Sequence, residues 1–214
     1  IYDTSQDTDG GAWTNSATSQ QLSWYTETKD DTAASCNIGT MDRCGKSEFP
    51  KKAIVISTGT GTSGSWYIFD AVANKMWMKG GQAVWKACAG SYTSISMLDG
   101  VLYLGNTDTT AGSCGFVRIL DFKKDFDWYA STSASYYATG TSSNNISARD
   151  SGGTGNTTFT SGLNLLGGPY PRDVYAAIIN GKTFLAVAGG LNTLADNTEG
   201  ITLLNFTDNK STYF

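Results

Sequence analysis

Three aspartates, Asp3, Asp7 and Asp9, crowd the start of the chain, with Gly10 and Gly11 directly after them. Oxygen-rich, glycine-bearing loops of this kind can surround calcium. An EF-hand loop would also need a glutamate at a fixed distance, and none stands there. A solvated or backbone-capping turn is therefore the preferred reading of these carboxylates, and no cofactor is expected. Histidine is absent from all 214 residues, which removes Ser-His-Asp and Cys-His nucleophile arrangements and most zinc sites. Two acidic groups facing each other across a cleft would still suffice for glycoside hydrolysis. Most aspartates, however, stand in turn sequences such as Asp99-Gly100 and Asp208-Asn209, where hairpin geometry accounts for them. Arg43, Arg118, Arg149 and Arg172 are too scattered to form the cationic cluster that an acidic sugar requires. No catalytic residue is assigned, and the chain reads as a non-enzyme.

The remaining reactive groups are four cysteines. Cys36 and Cys44 bracket a short polar loop, SCNIGTMDRC, that suits a local disulfide, while Cys88 and Cys114 stand at sheet-associated positions that a folded unit could bring together. With no CxxC pair and no histidine, disulfides or buried thiols are preferred over a metal site. Disulfides would place the protein under oxidising conditions.

These groups must be positioned by strands. Ile95, Met97 and Leu98 lead into Asp99-Gly100, and Val101, Leu102, Tyr103 and Leu104 follow, the pattern of a two-residue hairpin. Phe116, Val117, Ile119 and Leu120, then Trp128-Tyr129, supply two more strands and complete a four-stranded meander. The unit recurs. Ile68-Phe69-Asp70 precedes Trp77-Met78 by the same interval that separates Ile119-Leu120-Asp121 from Trp128-Tyr129 and Leu203-Leu204-Asn205 from Thr212-Tyr213. Asn180-Gly181, between Ala176-Ala177-Ile178-Ile179 and Phe184-Leu185-Ala186-Val187, is the counterpart of Asp99-Gly100. A small sheet cannot cover both of its faces, and repeated sheets solve this by packing side by side about an axis. The expected fold is all-β: propeller-like, repeated four-stranded antiparallel meanders over 49–214, preceded by an extended arm and cysteine-bearing loop over 1–48. Three units are too few to close a propeller. The chain is thus expected to be part of a larger one, or to draw a further blade from its first fifty residues or a partner; Ile1 and Phe214 look like cut ends.

Ala53-Ile54-Val55-Ile56 is a continuous apolar run of the kind that makes a strand buried on both faces. The arm carries Trp13, Trp24 and Tyr25 amid polar residues, and exposed aromatics of this kind would bind a neighbouring subunit. Within it, Asp7-Thr8-Asp9-Gly10-Gly11-Ala12-Trp13 comes close to an Asp-box, a turn-stabilising motif, with its tryptophan one residue early. The stretch 130–173 is a Ser/Thr/Gly-rich insertion with almost no aliphatic residues; Tyr136, Tyr137 and Phe159 make it a second contact candidate, with anchoring of the loop on its own module the plainer alternative. The sequons beginning at Asn145, Asn156, Asn205 and Asn209 are expected by chance in such a composition. A net charge of −4 without basic clusters argues against nucleic acid. No apolar run approaches the ~18 residues of a spanning helix, so no membrane segment is expected.

IYDTSQDTDGGAW, followed in order by SWYTE, EFPKKAIVI and MWMKG, resembles the opening of large virion structural proteins of marine tailed bacteriophages, cyanophages among them. GVLYLGN and GITLLNFTDNKSTYF resemble the repeated units that follow in those proteins. SCNIGTMDRC and the 130–173 stretch depart from that pattern. The resemblance implies a tail or appendage component of the virion that builds the particle and contacts the host. Its partners would be other copies of itself, other virion proteins and a host-surface glycan or protein. A carbohydrate-binding, lectin-like adhesin is the alternative, and a propeller glycosidase the second.

Overall fold

A computed structural model describes residues 1–29, 36, 43–58, 64–81, 91–107, 116–131, 145–149, 170–190, 200–207 and 210–213. They form three four-stranded antiparallel sheets. Sheet 1 holds β1 (Tyr2–Asp3), β2 (Lys52–Thr58), β3 (Ser65–Asp70) and β4 (Lys75–Gly81). Sheet 2 holds β5 (Ser91–Leu98), β6 (Val101–Thr107), β7 (Phe116–Asp121) and β8 (Phe126–Ser131). Sheet 3 holds β9 (Tyr170–Ile179), β10 (Lys182–Gly190), β11 (Gly200–Asn205) and β12 (Lys210–Tyr213). Each is a meander, with strands neighbouring in sequence order. The described residues contain neither a closed propeller nor a fourth sheet, and those among the first fifty add to the sheets only the two-residue β1 and an isolated bridge from Arg43 to Met78.

The turns follow from local chemistry. Asp99 and Gly100 have φ of 50° and 78°, and Asn180 and Gly181 have 51° and 73°. Both central residues are thus left-handed, as a two-residue hairpin matched to strand twist demands. The second recurring turn explains the fixed interval between β3 and β4 and between β7 and β8. Asp70 Oδ1 accepts the amides of Val72 and Ala73 at 2.8 and 2.9 Å, and Asp121 Oδ1 accepts those of Lys123 and Lys124, both at 3.0 Å. Asn74 and Asp125 then take φ of 53° and 55°. Asx side chains tolerate this region better than other non-glycine residues do.

Alternation along the strands sends successive side chains to opposite faces, and the repeats use those faces in a constant sense. Ile68 of sheet 1 belongs to the core shared with Leu120 of sheet 2; Ile119 of sheet 2 belongs to the core shared with Leu204 of sheet 3. Sheet 2 therefore lies between the other two, and every residue of β7 is buried. The backbones approach most closely where β5 and β6 meet β9 and where β2 meets β5, with no comparable approach of β8 to β12. Small hydroxyl side chains permit this proximity. Ala176 N donates to Ser96 Oγ at 2.9 Å, Thr93 Oγ1 donates to Pro171 O at 3.0 Å, and Ser57 Oγ donates to Tyr92 O at 3.2 Å.

The arm is not extended. After β1 it winds through short 3-10 turns and one helical turn, α1 (Ser23–Thr26), and its aromatic side chains enter the core shared by sheets 1 and 2. Trp13 and Trp24 meet edge-on with ring centroids 6.3 Å apart, and Phe49, Trp77 and Phe122 complete the cluster. Burying this much aromatic surface in its own chain outweighs leaving it for a partner. Trp13 also packs beneath the Asp99-Gly100 hairpin, where a Cβ on Gly100 would lie 3.1 Å from the indole and 3.0 Å from Lys123 Cγ. Gly100→Ala is expected to cost about 1–3 kcal/mol from backbone strain and this clash together. Chemical denaturation measures it; a loss below about 0.5 kcal/mol would mean that the hairpin tolerates a side chain.

Candidate functional site

The arm meets the Asp99-Gly100 hairpin at a charged cluster. Carboxylate oxygens of Asp7, Asp9 and Asp99 lie within 4.8 Å of one another, so the hairpin supplies the third acid. Asp3 is elsewhere: it caps the turn at Ser5 and pairs with Lys52 at 3.6 Å. Lys123 Nζ enters the cluster, 2.7 Å from Asp99 Oδ1 and 3.8 Å from Asp9 Oδ2. Asp99 Oδ1 also accepts Thr8 Oγ1 at 2.8 Å, and Asp7 Oδ2 accepts Tyr2 Oη at 2.5 Å and Trp13 Nε1 at 2.7 Å. The phenol oxygen of Tyr2 in turn accepts Gly100 N at 2.7 Å. A calcium ion would need these oxygens, which an ammonium and five other protein donors, among them the amides of Thr8 and Gly11, already engage. The geometry is that of a lock between arm and hairpin.

Burial pushes the Asp7 carboxyl above its ordinary value, against the hydrogen bonds from Trp13 and Tyr2. Burial also pushes Asp99 up, but Lys123 and Thr8 outweigh it and leave that carboxyl below its usual range. The signs differ accordingly. Asp7's contribution to stability is complete below the unfolded carboxyl value of 3.8 and is lost as pH rises through its raised folded value. The contribution of Asp99 is present above 3.8 and is lost as pH falls through its lowered folded value. Asp7→Asn, whose amide oxygen can still accept from Tyr2 and Trp13, is expected to preserve stability at pH 7 and to flatten its decline as pH rises above the ordinary carboxyl value of 3.8. Asp7→Ala leaves both donors unpaired and should cost about 1–3 kcal/mol for each. Denaturation midpoints across that pH range separate the two variants, and equal losses for both would show that the hydrogen bonds carry no weight.

The arginines that lie far apart in sequence partly converge. Arg118 forms a bidentate pair with Asp127, at 3.0 and 2.6 Å, and also donates to Gly81 O at 2.7 Å, Tyr92 Oη at 3.1 Å and Arg149 O at 2.7 Å. Arg149 donates to Lys79 O at 2.6 Å and to Glu27 at 2.8 Å. Arg43 lies over the Trp77 ring at 3.9 Å and donates to the carbonyls of Cys44, Lys46, Ser47 and Trp77. All three side chains are buried, so their charge joins arm, sheets and the turn at 145–149 rather than meeting an anionic ligand.

Trp13 and Trp24, expected as partner contacts, are 5% and 0% exposed. Tyr25 is half-buried and donates to Asn15 Oδ1 at 2.8 Å. Trp24 Nε1 donates to Phe122 O at 2.8 Å, which binds the arm to sheet 2. Cys36 and Cys44 form a disulfide with Cα atoms 5.7 Å apart. Cys88, Cys114, Tyr136, Tyr137 and Phe159 lie outside the described residues, as does most of the 130–173 insertion.

Among the described residues, the strand-borne large apolar side chains that face solvent are on the two end sheets; Ile1 and Val72, 97% and 75% exposed, lie at the start of the chain and in the β3–β4 turn. On sheet 1, Ile54 and Ile56 are 37% and 41% exposed, paired across the ladder with Phe69 and Tyr67. On sheet 3, Tyr175, Ile179 and Ile201 are 51–69% exposed, on the face shared with Phe184 and Leu203. Sequence reasoning did not single out these surfaces, although the run Ala53-Ile54-Val55-Ile56 carries the signal: it has the composition of a doubly covered strand and only one cover. Between sheets 2 and 3 a cleft of about 450 Å3 is lined by Tyr103, Asp121, Lys123, Trp128 and Phe206 among others. Comparison with protein-family models, curated proteins and solved structures finds no match to the chain. Among the described residues, no helix is long and apolar enough to cross a membrane.

Proposed function

We propose that the chain is a non-enzymatic structural module of a tailed-phage virion, in the tail or an appendage, built of propeller-like repeats and used in particle assembly and host attachment. The observation that carries this reading is the division of labour among the side chains. Buried arginines and the acidic cluster are committed to joining elements, while Ile54, Ile56, Tyr175, Ile179 and Ile201, on the outer faces of the end sheets, are left facing solvent. Contiguous apolar surface on a folded module marks an interaction site. The close approach of the sheets at β2, β5, β6 and β9, toward one side of each sheet, supports a wedge-shaped, propeller-like arrangement over a flat sandwich. The Cys36–Cys44 disulfide suits an extracellular particle, and the resemblance to marine phage virion proteins supplies the setting. An antibody raised against the chain should decorate tails or appendages of the particles that carry it in immuno-electron microscopy. Its confinement to particle-free fractions would overturn the reading.

A carbohydrate-binding module is the second reading, favoured by the aromatic and acidic lining of the cleft between sheets 2 and 3. Binding on a glycan array that is lost in Trp128→Ala, with the fold retained, would favour it over the first.

A further inference from the structure

Each sheet junction in the chain mates the same two kinds of face. At equivalent positions of the repeat, Ile68 points from sheet 1 toward sheet 2 and Ile119 from sheet 2 toward sheet 3. Leu203, the third equivalent, is on the outer face of sheet 3, where it pairs with Ala186 and neighbours Ile201 and Tyr175. The opposite face behaves in the same way. Leu120 points back toward sheet 1 and Leu204 back toward sheet 2, while their equivalent, Phe69, is on the outer face of sheet 1 beside Ile54. The stack is thus directional. Among the described residues, the two faces not mated to another sheet are one of each kind, and both carry exposed apolar side chains.

We propose that these end faces mate with each other in a second copy of the chain: the outer face of sheet 1 of one copy docks on the outer face of sheet 3 of the other. A second copy is the occupant because the faces that mate twice within the chain are the two that it offers at its ends. The contact is heterologous, so two copies make it twice and close a ring. With three sheets among the described residues of each chain, two copies bring six, within the range of about four to eight at which such rings close. Three copies would exceed that range. Closure also buries Ile54, Ile56, Tyr175 and Ile201 and removes the open ends.

This inference rests on the propeller-like reading above but not on the virion setting, and the test is made on the purified 214-residue chain. Sedimentation and light scattering at micromolar concentration should give twice the 22.7 kDa chain mass. Ile56→Lys on β2 and Ile201→Lys on β11 should each weaken the dimer at least ~100-fold, because burying an unpaired ammonium is costly. Both positions are solvent-facing in the single chain, so circular dichroism should be unchanged, and the midpoint of unfolding should match wild type once both are diluted to monomer. Mixing the two variants leaves one undamaged junction per mixed pair, so a mixed dimer should reappear. A monomer at all concentrations overturns the proposal. So does an assembly that grows with concentration, or sensitivity to only one of the substitutions, the mark of a like-with-like contact. Any of these results leaves the antibody-labelling test of the virion role standing, and loss of that role leaves the ring intact.

Discussion

Arg118→Ala is expected to cost about 3–5 kcal/mol, the range for breaking a buried ion pair by removing one partner. The guanidinium is wholly buried, and the carboxylate of Asp127, almost equally buried, would lose both of its bonds to Arg118. Three further acceptors, Gly81 O, Tyr92 Oη and Arg149 O, would lose a donor at the same time. Two of these belong to sheet 1 and to the turn at 145–149, so the loss falls on the junction between sheets and not on sheet 2 alone. Arg118→Lys should recover only part of the stability, since one ammonium cannot reproduce the planar fork that reaches all of these acceptors. Urea denaturation reads the change in free energy. Added salt should leave the difference largely intact, because burial shields the pair from mobile ions. A loss under about 1 kcal/mol, typical of exposed pairs, would remove Arg118 from its place as the link between sheets.

Trp24→Ala is expected to cost a similar amount, about 3–5 kcal/mol, by a different route. Its ring is fully buried and meets Trp13, Tyr25, Trp77 and Phe122, so truncation opens a cavity at the centre of the aromatic cluster. The arm should then become the first part of the molecule to open. Limited proteolysis should cut within residues 1–29 of the variant at protease levels that leave the wild-type chain whole. Trp24→Phe keeps most of the packing but leaves Phe122 O without its indole donor, and should fall between the two. If the arm of Trp24→Ala stays as resistant as wild type, the tryptophan does not hold it.

Turns and repeats could be read before any coordinates. Asp99-Gly100 and Asn180-Gly181 require two left-handed residues in succession, and few dipeptides accept that. Asp70 and Asp121 cap their own turns through amides two and three residues on, so both signals are written within a few positions of chain. The strands and their pairing are legible too, but which faces are covered is not: β7 is buried on both sides, and the continuous apolar run of β2 has only one cover. What escaped is of longer range. Trp24 finds its acceptor 98 residues away, and Arg118 meets a carbonyl 31 residues on and another 37 residues back. A polar segment carrying isolated aromatics shows no period, so nothing local distinguishes a free arm from one folded under the sheets. The carboxylates were misgrouped for the same reason. Asp3 is close to Asp7 in sequence, but Asp99 is the one brought close in space.

The repeated four-stranded meanders, their turns and the lack of imidazole chemistry are written in the residues, because hairpin backbone angles, strand periodicity and composition are properties of short stretches. That the arm packs inside, that the arginines are internal ties and that apolar sheet faces are left at the two ends of the stack emerged with the folded arrangement alone. Those outcomes depend on which surfaces compete for the same burial, and that competition is settled between residues far apart along the chain.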